Sequence, residues 1–86
     1  MEKPPIKLII LVNSKQLISQ IEEIGADIGQ PDCKLTEPFI IGPDNTLSPW
    51  LVDVTSENTF MLSSDKILTL TEPKPTILEK YQDLLK

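Results

Sequence analysis

The sequence predicts a small, mainly β domain of four or five short strands with one helix at its C-terminal end, organised as a small barrel or a compact α+β domain. Three observations carry this expectation. Ile6 to Val12 is a dense run rich in β-branched residues. Short apolar stretches follow it, separated by Asn, Gly, Pro and Asp turn signals. Residues 76–86 carry an apolar stripe at helical spacing. The chain has 86 residues, 40% of them hydrophobic, which suits one domain, 1–86, with one modest core.

Taken in order, Pro4 and Pro5 stiffen the start, and Ile6 to Val12, apolar on both faces, reads as a central strand. Asn13-Ser14 is a turn pair, with Asn13 tolerant of positive φ. Lys15 to Ile24 is ambiguous. Leu17, Ile18, Ile21 and Ile24 fit a ten-residue helix between Ser14 and Gly25 as caps, while a two-residue connection favours a hairpin with the first strand. The local signals lean slightly to helix. Ala26 to Asp32 is a loop marked by Gly29 and Pro31. Cys33 to Ile41 alternates at first, pointing Cys33 and Leu35 inward, and Pro38 marks an edge or a bulge. Gly42-Pro43-Asp44-Asn45 is the strongest turn signal. Trp50 to Val54 and Thr59 to Leu62 read as strands, Asp65-Lys66 as a hairpin turn, and Ile67 to Leu70 as a further strand, with Glu72 to Pro75 closing the β region. Thr76 and Glu79 match the capping box, in which each side chain satisfies a free backbone N–H. Ile77, Leu78, Tyr81, Leu84 and Leu85 form the stripe that follows, on a helix too short to stand without a packing partner.

Composition excludes more than any motif establishes. The chain has no His and no Arg, against eight Lys and thirteen Asp plus Glu, for a net charge of −5. Without His there is no imidazole base, no Ser-His or Cys-His couple and no His-ligated metal. Without Arg there is no bidentate phosphate fork. The lone Cys33 cannot form an internal disulfide or a zinc knuckle. No cofactor and no metal site are expected, and no enzymatic activity. The negative charge is spread over both halves, which disfavours nucleic-acid binding through a general basic field. The longest apolar run is far below the roughly 20 residues that span a bilayer, and Met-Glu-Lys followed by prolines is no signal peptide, so a cytoplasmic location is expected.

Individual candidates read mostly as structure. Glu22, Glu23 and Asp27 are the densest acidic cluster, and a solvated strand end accounts for them better than a metal site. Cys33 reads as a core thiol with nothing to activate it. Ser14, Ser63 and Ser64 lack a base. Tyr81 sits on the helix stripe and reads as packing. Trp50, after Pro49, reads as a packing or interface residue ahead of a ligand contact. Lys15, Lys34 and Lys66 are scattered in sequence, although hairpin turns could gather them on one face.

Leu11-Val12-Asn13-Ser14-Lys15-Gln16-Leu17-Ile18-Ser19-Gln20-Ile21 follows a strand-turn-strand motif, and Phe60-Met61-Leu62-Ser63-Ser64-Asp65-Lys66-Ile67-Leu68-Thr69-Leu70 follows a second strand pair. Together with Pro49-Trp50 and the Glu72-Pro73 step into a Tyr-bearing helix, these stretches resemble the Sm-like (LSm) family, in particular its small phage and marine-metagenome members. The resemblance implies a strongly bent five-stranded barrel, strands within about 6–71 and a C-terminal helix at about 76–86. It turns residues 15–24 from helix to strand. It further implies a closed homo-oligomeric ring of about five to seven subunits, joined by strand edges at Thr59, Phe60, Met61 and Leu62 and at Ile67, Leu68, Thr69 and Leu70. Single-stranded RNA is the implied ligand, with Asp32, Lys34, Ser63, Ser64 and Lys66 as candidate contacts. Asp32 stands where RNA-binding members carry Asn, and Ser63-Ser64 where they carry Arg-Gly or Lys-Gly, so weak RNA binding is expected. The alternative is a protein-binding adaptor with a host or phage partner and no nucleic-acid ligand.

Overall fold

A computed structural model describes residues 4–85, so the first three residues of the expected domain and Lys86 of the expected helix lie outside the described residues. The first hairpin follows from its turn. Strand β1 (Ile6–Leu11) runs antiparallel to β2 (Gln16–Glu23), with Ile10 opposite Gln16 and Ile6 opposite Gln20. Asn13 Oδ1 accepts the Lys15 N–H at 3.1 Å, an Asx-type closure, and Ser14 takes the left-handed φ of 71° that the sequence placed at Asn13. Residues 16–23 are therefore strand and not helix. The apolar spacing that imitates a helical stripe serves two sheet faces: Leu17 and Ile21 enter one core and Ile18 enters the other.

Strand β3 (Cys33–Ile41) pairs along β2, and its two halves face opposite ways. Ile18 lies opposite Phe39 and Gln20 opposite Thr36, so β3 carries one extra residue there. Glu37 absorbs it with φ 52° and Pro38 follows, which makes the proline the mark of a bulge. A one-residue slip reverses side-chain parity. Cys33 and Leu35 accordingly join Ile9, Leu11, Leu17 and Ile21 in an inner core, while Phe39 joins Ile18, Ile77 and Tyr81 in an outer one. Two partners divide the far edge of β3 between them. Strand β4 (Leu47–Pro49) takes Phe39–Ile41, after a 3-10 turn at Pro43–Asn45 in which Asp44 and Asn45 both have positive φ. Strand β5 (Thr59–Leu62) takes Cys33–Thr36.

Strand β6 (Ile67–Thr71) pairs with β1, which completes one sheet in the order β4-β3-β2-β1-β6 with β5 also on β3. Three strands thus separate β5 from β6, a distance of roughly 19 Å across a flat sheet at about 4.8 Å per neighbour. Residues 63–66 alone connect them, and Ser64–Lys66 form a 3-10 turn that rises only about 2 Å per residue. The sheet must curl to let so short a link join its ends, and the inner core fills the curl.

The expected bent, five-stranded barrel is corrected in its strand count and its form. The sheet has six strands and is open, with no ladder between β5 and β6 among the described residues. The Asp65-Lys66 turn is consequently not a hairpin turn. Lys66 instead accepts the Val12 N–H on its carbonyl at 2.9 Å and sends the chain directly onto β1. The expected strand at Trp50 to Val54 is also corrected. Trp50 donates its N–H to Pro38 O at 3.0 Å, Leu51 then takes φ 61°, and the chain folds into a turn with Val54 and Thr55 both donating to Leu51 O.

Helix α1 (Pro75–Leu84) covers the outer face of the sheet. It starts two residues earlier than the capping box requires, because Pro75 occupies the first turn where its missing N–H costs nothing. Lys74 is the N-cap, and no side chain caps the helix. Tyr81 is wholly buried on the stripe, edge-on to Phe39 with ring centres 5.6 Å apart. Its hydroxyl donates to Glu37 O at 2.8 Å, lies 3.2 Å from Thr36 O and accepts the Gln20 N–H at 3.3 Å. The helix thereby holds the bulge to β2. Burial pushes the Tyr81 phenol above its usual range, so it remains a donor at any ordinary pH. Tyr81→Phe keeps the ring contact and strands the Glu37 carbonyl, and is expected to cost about 1–2 kcal/mol of unfolding free energy in urea titrations. A loss too small to measure would show that the hydroxyl does not secure the bulge.

Candidate functional site

The loop before β3 and the turn before β6 meet. Asp32 Oδ1 accepts the Ser64 N–H at 2.7 Å and Oδ2 accepts the Ser64 Oγ–H at 2.8 Å. The backbone N–H of Ser64 first, and its hydroxyl second, hold the Asp32 carboxyl below the usual carboxylate range. Ser63 precedes the turn and accepts the Lys66 N–H on its carbonyl at 3.0 Å. Of the five candidate RNA contacts, Asp32, Ser63, Ser64 and Lys66 therefore belong to one loop pair. Lys34 lies on β3, where its Nζ is 3.7 Å from Glu22 Oε1, opposite it on β2. This lysine therefore faces a carboxylate across the strand pair. No aromatic residue belongs to either segment.

The candidate assembly residues divide by direction. Leu62 and Ile67 pack against the inner core, and Phe60 stands edge-on to Trp50 at 5.8 Å. Thr59, Met61, Leu68, Thr69 and Leu70 are exposed, with Leu68 66% and Leu70 49% accessible. Each of β5 and β6 has one partner strand among the described residues, so each keeps a free outer edge. Beside β6 lies an apolar groove of about 650 Å³, floored by Ile21 and Cys33 and walled by Ile67, Leu68 and Leu70.

A larger groove, about 770 Å³, opens on the other side of β3. Glu37, Pro38, Trp50, Asp53, Glu57 and Phe60 are among its lining residues. In this group sequence reasoning singled out Trp50 as a packing, interface or contact residue, Phe60 as an assembly residue and Pro38 as an edge or bulge, and none of the acidic side chains. The available signal was Pro38 as a bulge, since a bulge commonly re-aims the side chains beside it.

The remaining candidates behave as structure. Cys33 is buried, and burial first, with the Asp32 and Glu23 charges behind it, pushes its thiol up and away from reactivity. Glu22 is engaged with Lys34, and Asp27 accepts the Gln30 N–H on its carbonyl. Among the described residues no group of three or more His, Cys, Asp or Glu is placed to hold a metal ion. Among the same residues no helix is long and apolar enough to cross a membrane.

The Asp32–Ser64 clasp has a pH signature. Its folded-state pKa is depressed, so its stabilisation is complete above the unfolded carboxyl's pKa of about 3.9 and disappears as pH falls through the lower folded value. Asp32→Ala should lower the thermal midpoint at neutral pH, with the difference from the parent shrinking below about pH 4. An offset that stays constant from neutral to acid pH would show that the carboxylate's charge is not what the clasp uses.

A search of curated proteins finds no match to this chain. One family model matches residues 4–86, which takes in every strand, the Asp32–Ser64 clasp, both grooves and the helix. The chain belongs to that family, a family of unknown function designated DUF6561.

Proposed function

We propose that this is a non-enzymatic assembly protein of the Sm-like kind, whose copies join β5 to β6 around a closed ring and contact single-stranded RNA weakly. One observation carries the reading. Two strands adjacent in sequence, β5 and β6, end opposite sides of a single curled sheet, each with a free outer edge. Free edges template pairing with another chain. Because the two edges lie at different places on one subunit, their contact is heterologous and generates a ring when the rotation closes. The exposed Leu68 and Leu70, with the groove beside them, supply apolar surface to bury in such a contact. The Sm-like resemblance supports the same joint.

Light scattering at tens of micromolar should report a closed assembly of about five to seven chains. The double variant Leu68→Lys and Leu70→Lys should fall to smaller species with its circular dichroism unchanged. A monomeric parent protein would remove the ring.

The RNA part of the reading is limited by charge. A net −5 per chain, repeated round a ring, opposes the phosphate backbone, and the counterion-release gain that drives ordinary nucleic-acid binding is small. Lys66 at the clasp is the local cation left to meet a phosphate, since Lys34 faces Glu22. Fluorescence anisotropy with U-rich and A-rich oligonucleotides should give micromolar or weaker dissociation constants at physiological salt, strengthened by Asp32→Asn or Ser63→Arg. Nanomolar binding by the parent protein would place the RNA contacts elsewhere, and no binding by either variant would end the RNA reading. The acidic charge and the Lys34–Glu22 pair favour a second reading, a protein-binding adaptor without a nucleic-acid ligand.

A further inference from the structure

The groove beside the β3 bulge combines three features. Its floor is aromatic: Trp50 is half-buried and stands at 65° to Phe60, with Pro38 and Phe39 beside them. Its charge is of one sign. Glu37, Asp53 and Glu57 line it, no lysine does, and among the described residues none of the three is in a salt bridge. Glu37 is steadied by Asn58, whose Nδ2 approaches Glu37 Oε1 at 3.4 Å and whose carbonyl accepts the Glu37 N–H at 2.6 Å. Its backbone is strained as well. Glu37 and Leu51, the latter between the lining residues Trp50 and Val52, both hold a left-handed φ that favours glycine. Exposed Val52 and Leu84, 59% and 53% accessible, complete an apolar rim.

We propose that this groove binds a basic segment of a partner protein, in which a Lys or Arg flanked by apolar side chains lays its stem on Trp50 and Phe60 and offers its charge to Glu37, Asp53 and Glu57. Charge complementarity selects this occupant. Three carboxylates with no salt bridge among the described residues, around an aromatic floor, repel a phosphodiester chain and attract a cation, and the face of an indole adds a cation–π contact. A volume of about 770 Å³ admits two or three side chains of a peptide and is too shallow for a folded domain. The proposal gives the adaptor reading a partner chemistry and rests on that reading. Ring formation is measured by mass and peptide capture by Trp50, so either can fail without the other.

Trp50 is the chain's single tryptophan, and its emission reports the groove directly. The full-length protein is titrated with a synthetic peptide alternating leucine and arginine, with a counterpart carrying glutamate for arginine, and with a U-rich oligonucleotide. The basic peptide should change Trp50 emission saturably, and the acidic peptide and the oligonucleotide should not. The double variant Asp53→Asn and Glu57→Gln, on an exposed loop, should weaken the basic peptide by about tenfold. Raising the salt should weaken it in the parent protein too, a readout that does not depend on the variant folding. Equal response to both peptides, affinity unchanged by the variant and by salt, or no response to the basic peptide would overturn the proposal. So would quenching by the oligonucleotide, which makes the groove a nucleic-acid site, or an emission shift on dilution without peptide, which makes it a contact between copies.

Discussion

One extra residue in β3 governs this domain. With Glu37 in the left-handed region and Pro38 after it, Cys33 and Leu35 before the bulge and Ile40 after it pack on the inner core, while Phe39 and Ile41 turn to the outer one. Without the extra residue Phe39 would share the face of Cys33 and Leu35, because parity along a regular strand is fixed. A left-handed φ at a non-glycine residue costs of order 1–3 kcal/mol and persists only where the surroundings over-determine it. The Tyr81 hydroxyl on Glu37 O, the Asn58 carbonyl on the Glu37 N–H and the Pro38 carbonyl on the Trp50 N–H fix the bulge from three sides. Helix, β4–β5 connection and sheet all converge there.

The surfaces follow from that device. A bulge bends its strand and raises the local twist, and the short link at residues 63–66 can join β5 to β6 only on a curled sheet. The curl stops before the ladder closes, which leaves two free edges for a neighbour. The same bulge turns Glu37 and Pro38 toward the Trp50–Phe60 pair and forms the acidic groove. The chain has no imidazole and no guanidinium, and burial pushes its Cys33 thiol and Tyr81 phenol up.

Much of this was legible in the residues. β-branched density marked β1, Gly42-Pro43-Asp44-Asn45 marked the turn between β3 and β4, Pro38 marked an edge or the bulge, and the stripe through Ile77 and Tyr81 marked the buried helix face. The failures have physical causes. Residues 15–24 look helical because Leu17, Ile18 and Ile21 are spaced for one helix face and equally for two sheet faces. Trp50 to Val54 look like strand by composition, and only the Pro38 carbonyl and the left-handed Leu51 make them a turn. Thr76 and Glu79 match a capping box, but Pro75 starts the helix first. The resemblance names Asp32 and Ser64 as candidate RNA contacts, whereas the clasp between them depends on the 3-10 turn at Ser64–Lys66. The acidic groove was missed because Asp53 and Glu57 read as a strand and its connection, and Glu37 reaches them only through the bulge.

If the bulge organises the molecule, residue 37 should answer to backbone geometry before side-chain chemistry. Urea unfolding of Glu37→Gly and Glu37→Val separates the two. Glycine adopts a φ of 52° without a Cβ penalty, and a β-branched residue is a severe outlier there. The account predicts that the glycine variant is at least as stable as the parent and the valine variant less stable by about 1–3 kcal/mol. Equal stabilities for the two variants would contradict it, because β3 would then not depend on a left-handed residue to turn from one core to the other.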